Sequence, residues 1–384
     1  MMTRTGLTFC GVIIIVAIGT FFLLDADDNN PKTGSDRTIS VPSVLGNQQD
    51  PGFARAFKPR TFLFPKDHGS HPDFQTEWWY FTGNLETNDA RHFGYQLTFF
   101  RSALKPRPKP RDSAWATNQI YMAHFALTDT ASQQFFHFER FSRSAKNLAG
   151  ATAEPFRVWL EDWFAQGDSH DTLPMTLFAE AEGVGINLQL DSSKPIVLQG
   201  RDGLSQKSSA PGNASYYYSF TRMPTVGRIQ VGEETFEVAG HSWLDREWST
   251  SALGKNQVGW DWFSFQFDDG RELMYYQLRM QGGSPDPLSQ GVLVNGDGKT
   301  EIISPREVQI DVLERWTSRE TGSVYPSKWR LRLDDKELVL EVKPRLPQQE
   351  INATFRYWEG AVTIKGRSSE GTIKGSGYIE MTGY

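Results

Sequence analysis

Cysteine is almost missing from this chain: Cys10 is the single one in 384 residues, and it sits in an apolar N-terminal run. The rest of the chain therefore holds no intramolecular disulfide, no thiolate zinc site and no thiol nucleophile, and an exported body must rest on its packed core. Excess positive charge is missing too. The formal net charge is −6, and no dense basic stripe is interleaved with aromatics. That argues against a nucleic-acid partner, because phosphate binding needs a basic field. No acidic block suggests a disordered tail. No long stretch of the body carries a helical period, and no signature of a nucleotide, flavin or haem site is present, so no cofactor is expected.

What is abundant is aromatic and turn-forming. Aromatics make up 13% of the chain (12 Trp, 12 Tyr, 26 Phe), beside 34 Gly and 20 Pro. Such residues suit pleated, half-buried surfaces and many short strands. The length suits two domains and an N-terminal appendage. The boundaries expected are 1–28 for a signal or anchor, 29–58 for a polar linker, 59–232 for a first domain and 233–384 for a second.

Residues 7–24 are uncharged and long enough to cross a bilayer, with Arg4 before them and Asp25, Asp27 and Asp28 after. This order fits a start inside and a body outside. Leu24-Asp25-Ala26 is a poor cleavage site, and Phe9 before Cys10 is a poor lipoprotein site. An uncleaved anchor is favoured over both. The body is then expected in the cell envelope, anchored in the inner membrane and facing the periplasm, or secreted if the segment is cleaved.

From residue 62 onward short alternating runs recur: 78–85, 93–101, 120–128, 134–141, 157–164 and 176–190, then 260–267 and 272–280 joined by Asp268-Asp269-Gly270, then 308–316, 328–333, 338–342, 353–364 and 376–382. Trp79-Tyr80-Phe81 with Tyr95-Gln96-Leu97 parallels Trp262-Phe263-Ser264-Phe265 with Tyr276-Gln277-Leu278, so one architecture is expected twice. Sandwiches and up-and-down barrels both fit, and the aromatic load favours barrels.

Strand alternation sorts the candidate site residues. Glu77, Trp79 and Phe81 share a face, which makes Glu77 either a polar anchor in an apolar cavity or an edge carboxylate bonded to a loop or an Arg. His68, His71 and Asp73 lie close in sequence, but His-x-x-His off a helix is a weak metal signal, and no metal is expected. His124 shares a face with Met122, Ala126 and Thr128, as a hydrogen-bonded core residue or a ligand contact.

In Gly240-His241-Ser242-Trp243-Leu244-Asp245-Arg246-Glu247-Trp248-Ser249, Trp243, Asp245 and Glu247 face one way and Ser242, Leu244, Arg246 and Trp248 the other. Either face, turned inward, buries charge that needs a partner. The Gly-x-Ser here lacks the final Gly and the strand–turn–helix setting of a hydrolase elbow, which argues against serine hydrolysis. Asp261 shares a face with Phe263, Phe265 and Phe267, as a second buried acid or a rim residue. Residues 102–114, SALKPRPKPRDSA, must form an extended loop, either merely solvated or touching anionic lipid head groups.

At these residues the chain resembles the AttH/CrtC-like group. The resemblance rests on Glu77-Trp78-Trp79-Tyr80-Phe81-Thr82-Gly83, the 240–249 cluster, Gly259-Trp260-Asp261-Trp262, Tyr357-Trp358-Glu359-Gly360-Ala361 and Gly377-Tyr378-Ile379-Glu380-Met381-Thr382-Gly383-Tyr384, spread over 62–384. It implies two tandem lipocalin-like antiparallel β-barrels, all-β, and an envelope location, often alongside an ABC-type transporter. Some members are carotenoid 1,2-hydratases, and others shape or cyclise hydrophobic polyketides. The hydratases carry an Asp-His pair where this chain has Asp245-Arg246, and Arg cannot donate a proton at neutral pH.

Three functions follow as expectations. The first is a protein binding a lipid, isoprenoid or polyene near the membrane. The second is a hydro-lyase hydrating a polyene, with Asp245, Glu247 or Asp261 as acid. The third is an adaptor of a transporter. Glu77, Trp79, His124, Trp243, Arg246, Trp248, Trp260 and Trp262 are the expected ligand contacts.

Overall fold

The computed structural model describes residues 39–40, 52–109, 111–168, 171–250, 253–254 and 256–384. The apolar run 7–24 and most of the expected linker lie outside them. Among the described residues no helix is long and apolar enough to cross a membrane. The helical content there is two 3₁₀ turns, Lys66–His68 and Asp334–Lys336.

Alternating hydrophobic runs broken by Gly, Asn and Asp turns give two antiparallel, barrel-like sheets of the lipocalin-like kind. The short strand β1 (Ile39–Ser40) leads the described chain. The first sheet then follows: β2 (Thr76–Glu86), β3 (His92–Ala103), β4 (Gln119–Asp129), β5 (Gln134–Arg143), β6 (Ala149–Ala153), β7 (Phe156–Leu160), β8 (Trp163–Gly167), β9 (Met175–Ala181), β10 (Val184–Leu190), β11 (Val197–Leu198), β12 (Leu204–Gln206), β13 (Ala214–Val231) and β14 (Glu234–Ser249). Its order is β5-β4-β3-β2-β14-β13-β10-β9-β8-β7-β6, with β11 and β12 pairing β13. The second sheet has β15 (Gln257–Phe267), β16 (Glu272–Met280), β17 (Gln290–Val294), β18 (Thr300–Ile303), β19 (Gln309–Thr317), β20 (Val324–Leu333), β21 (Leu338–Pro344), β22 (Glu350–Asn352), β23 (Phe355–Ser368) and β24 (Gly371–Thr382). Its order is β18-β17-β16-β15-β24-β23-β21-β20-β19.

The two hairpins expected to be related, β2–β3 and β15–β16, occupy central places in their sheets. The expected boundary at 232/233 is corrected. β14 pairs with β13 and β2 in the first sheet, so the chain passes from the first sheet to the second only after Ser249. Gly232-Glu233 is a hairpin turn, with Gly232 at φ +63; in sequence a tight turn looks like a linker. The linker expected over 29–58 is corrected as well: β1 pairs in parallel with β23, and Phe53 and Ala56 are buried, Ala56 in the first core.

Each barrel has its own core. The first packs Phe81, Leu97, Phe125, Trp163 and Leu188; the second packs Phe263, Phe265, Trp329, Val362 and Ile379. A third apolar cluster holds Tyr80, Tyr217, Trp243, Trp262, Met274, Tyr276, Ala361 and Tyr378. It comes from the outward faces of both sheets, which lie against each other. Gly94 of β3 permits the approach: a Cβ built there would lie 2.5 Å from the Ala361 Cβ of β23.

Candidate functional site

Strand register builds the site. Directly paired residues share a face, so His124, Thr98, Tyr80, Asp245 and Ser219 form one row across β4, β3, β2, β14 and β13. Glu359, Glu380, Trp262 and Tyr276 form a row across β23, β24, β15 and β16. The two rows face each other between the sheets. The Tyr80 hydroxyl donates to Glu359 Oε1 at 2.6 Å, and Trp262 Nε1 donates to the Tyr217 hydroxyl at 3.3 Å.

Asp245 lies at the centre, 4% exposed. Its carboxyl accepts from the Tyr217 hydroxyl at 2.5 Å, the Ser219 hydroxyl at 2.5 Å and Trp243 Nε1 at 2.6 Å. No cation forms an ion pair with it among the described residues. Burial therefore dominates, and the three donors only partly offset it, leaving Asp245 pushed up to about 7. Glu247, next on the same face, is paired with Lys207 at 2.8 Å and accepts from Ser215. Burial works against the Lys207 charge, but Glu247 holds the ammonium above its usual value. On the facing sheet Glu380 is half-buried and accepts from Trp260 Nε1 at 3.2 Å. Burial, with the charges of Asp245 and Glu247, pushes it up to about 8. Glu359 is fully buried and raised well above the carboxylate range, by burial first and by Glu380 second.

Four carboxyls and one ammonium thus share a layer walled by tryptophan and tyrosine. Among them Asp245 and Glu380, raised towards neutrality, are suited both to give and to take protons. The closed layer is tightly packed. The cavity bounded by Thr82, Asn84, Trp243, Gln266 and Tyr378 is about 10 Å³, room for no more than one water. A wider groove of about 420 Å³ opens beside His137, Glu139, Arg140 and Trp163.

The residues singled out from sequence divide into three groups. Asp245, Glu247, Trp243, Trp260 and Trp262 come together in the layer between the sheets. His124 lies in the same layer on its flank, its Nδ1 2.6 Å from the Tyr357 hydroxyl and its Nε2 3.8 Å from Glu139. Glu77, Trp79, Arg246 and Trp248 point the other way, into the first barrel. There Glu77 bridges Arg101 and Arg246, and the Arg246 guanidinium lies 3.9 Å from the Trp79 ring centre and 5.1 Å from that of Trp248. The His71 ring stacks on Trp248 at 3.8 Å.

His71 Nε2 faces Asp67 at 3.0 Å and His68 Nδ1 meets the Tyr218 hydroxyl at 2.5 Å. Among the described residues no group of three or more His, Cys, Asp or Glu is placed to hold a metal ion. Asp261 faces the inside of the second barrel, paired with Arg279 at 3.2 Å and accepting from the Tyr384 hydroxyl at 2.9 Å. It is not brought to Asp245.

Glu359, Glu380, Tyr217, Ser219 and Lys207 were not singled out as site residues. For the two glutamates a signal was available, since each stands among aromatic or aliphatic neighbours, as Glu77 does. For Lys207 and Ser219 none was.

The AttH-like family model matches residues 55–384. A crystal structure of an AttH-type protein from Nitrosomonas europaea is 35% identical, with a TM-score of 0.76, covering 86% of this chain and all of that one. Kievitone hydratase from Nectria haematococca is 13% identical with a TM-score of 0.65, covering 84% of this chain and 93% of that one. CghA, crystallised with Sch210972, is 13% identical with a TM-score of 0.51, covering 88% and 97%. The last two likenesses concern the fold. A search of curated proteins returned no match.

Proposed function

The chain belongs to the AttH-like family, and on that premise we propose that it is a hydratase-like protein acting on a hydrophobic, alkene-bearing substrate, with Asp245 as proton donor. One observation carries the reading: a buried carboxyl, without an ion-pair partner among the described residues, is held by three donors and pushed up to about 7, beside the rings of Trp243 and Trp262. A general acid works best with a pKa near the operating pH. A relative in fold carries the name of a hydratase.

The chemistry balances simply. Asp245 gives its proton to one carbon of a double bond, leaving a carboxylate and a carbocation that the indole faces stabilise. Water adds to the cation, and its surplus proton passes to the Asp245 carboxylate directly or through Glu380, which retains contact with solvent. The sum is alkene plus water giving alcohol, and the reverse is dehydration. Because the closed layer has so little free volume, substrate has to part the two sheet faces.

The test uses organic extracts of the host's own envelope, incubated with full-length protein in ¹⁸O-labelled water and read by mass spectrometry. The expected result is a lipid or isoprenoid that binds the wild type and gains one labelled water. Asp245→Asn should still bind it, with turnover down roughly 10²–10⁴-fold. Unchanged turnover in Asp245→Asn would overturn the acid role. A compound that binds and never exchanges water would leave the binding-protein reading in its place.

A further inference from the structure

The molecule is net negative, yet one end of the first barrel is not. Residues 52–75 and 104–118 hold eight Lys and Arg against three Asp. They cover the same end. Ala54 N–H donates to the Asp73 carbonyl, Ala103 N–H to the Gln75 carbonyl, and Leu104 N–H to the Asn118 carbonyl. The proline-spaced loop that sequence alone left as either solvated or lipid-touching projects from this end. Lys105, Arg107, Lys109 and Arg111 are all exposed in it, and none has an ion-pair partner among the described residues. Leu104 and Trp115, 48% and 56% exposed, flank them.

We propose that this end of the first barrel docks on an anionic lipid surface through the loop carrying Lys105, Arg107, Lys109, Arg111, Leu104 and Trp115. Charge complementarity is the first support, since a polybasic segment is drawn to acidic head groups. The exposed indole is the second: tryptophan suits the boundary between head groups and acyl chains, which a soluble polyanion does not offer. This assignment does not rest on the chemistry proposed for Asp245.

The test uses the full-length protein with Cys10→Ser and Ser113→Cys, labelled with a polarity-sensitive fluorophore and reconstituted into phosphatidylcholine vesicles with or without phosphatidylglycerol. A second label at Glu370→Cys, in the exposed turn between β23 and β24, is the control. A blue shift of the Ser113→Cys label is expected with phosphatidylglycerol only, reversed by salt and not shared by the control. In the fourfold variant K105E/R107E/K109E/R111E the docked-to-undocked ratio should fall by roughly a hundredfold or more, which reads as loss of the shift. The proposal is overturned by no shift in acidic vesicles, by an equal shift in phosphatidylcholine alone, by a shift that survives the fourfold variant, or by a shift at the control of the same size. A shift caused by soluble heparin and not by vesicles assigns the face to a soluble acidic partner and also overturns it.

Discussion

Arg246 carries a full charge into the first barrel, and its neighbours define its role. From the inner face of β14 its guanidinium reaches Glu77, the Gly69 carbonyl at 2.5 Å and the Trp79 ring. Burial pushes the Glu77 carboxyl up, but Arg246 and Arg101 overcome it and hold Glu77 well below the carboxylate range. Breaking a buried ion pair by removing one partner costs about 3–5 kcal/mol, and Arg101, still paired with Glu77, keeps the loss of Arg246 at the lower end of that range. Arg246→Ala is therefore expected to lower the unfolding free energy by about that much in a urea titration. Wild-type stability in Arg246→Ala would show that the Glu77 network does not hold this end of the barrel. Glu77 itself was legible, as a carboxylate in line with large aromatics. Its partners were not, because Arg101 and Arg246 lie 24 and 169 residues away.

At the level of the strand, β14 explains both the success and the failure of alternation. Period two correctly put Trp243, Asp245 and Glu247 on one face and Arg246 and Trp248 on the other. It could not show that every residue from Ser242 to Ser249 is buried, because the outer face is covered by a second sheet whose strands come later in the chain. The same contact can be tested at β3. Gly94 is not among the residues with positive φ, so a side chain there meets no backbone penalty. It loses chiefly through contact with Ala361, whose Cβ lies 2.5 Å from the position a Cβ would take, with Thr128 and the Tyr378 ring at 3.6 Å. Gly94→Val is expected to cost about 1–3 kcal/mol by overpacking and to reduce turnover at Asp245, checked by thermal melting and the labelled-water assay. A melt and a turnover equal to wild type would mean the sheets do not need this close approach.

For the molecule as a whole, the acids between the sheets set a pH dependence. Asp245 and Glu380 hold protons in the fold up to about 7 and about 8, whereas the unfolded chain releases them near ordinary carboxylate values of about 4. Their contribution to stability is thus full below about pH 4 and is lost as pH rises through 7 and 8. The opposite flank belongs to His68 and His92. Burial first, and then Arg246 for His68 and Arg345 for His92, depress them to about 4 and about 3. The unfolded chain takes up those protons below about 6.5, so stability is lost as pH falls from there towards 4 and 3. Denaturant titrations over a pH series should show a decline between about pH 6.5 and 8 that Asp245→Asn with Glu380→Gln flattens. An unchanged alkaline slope in that double variant would remove these two acids as its cause.

The crossing from the first sheet to the second, residues 250–256 after β14 and before β15, has a kinetic consequence. Two faces joined by so short a link stay at an effective concentration on the order of millimolar when they separate. Opening to admit a substrate is then a unimolecular event, and reclosure cannot depend on how dilute the protein is. The site behaves as a book with a sewn spine, able to release its product without losing half of its own walls.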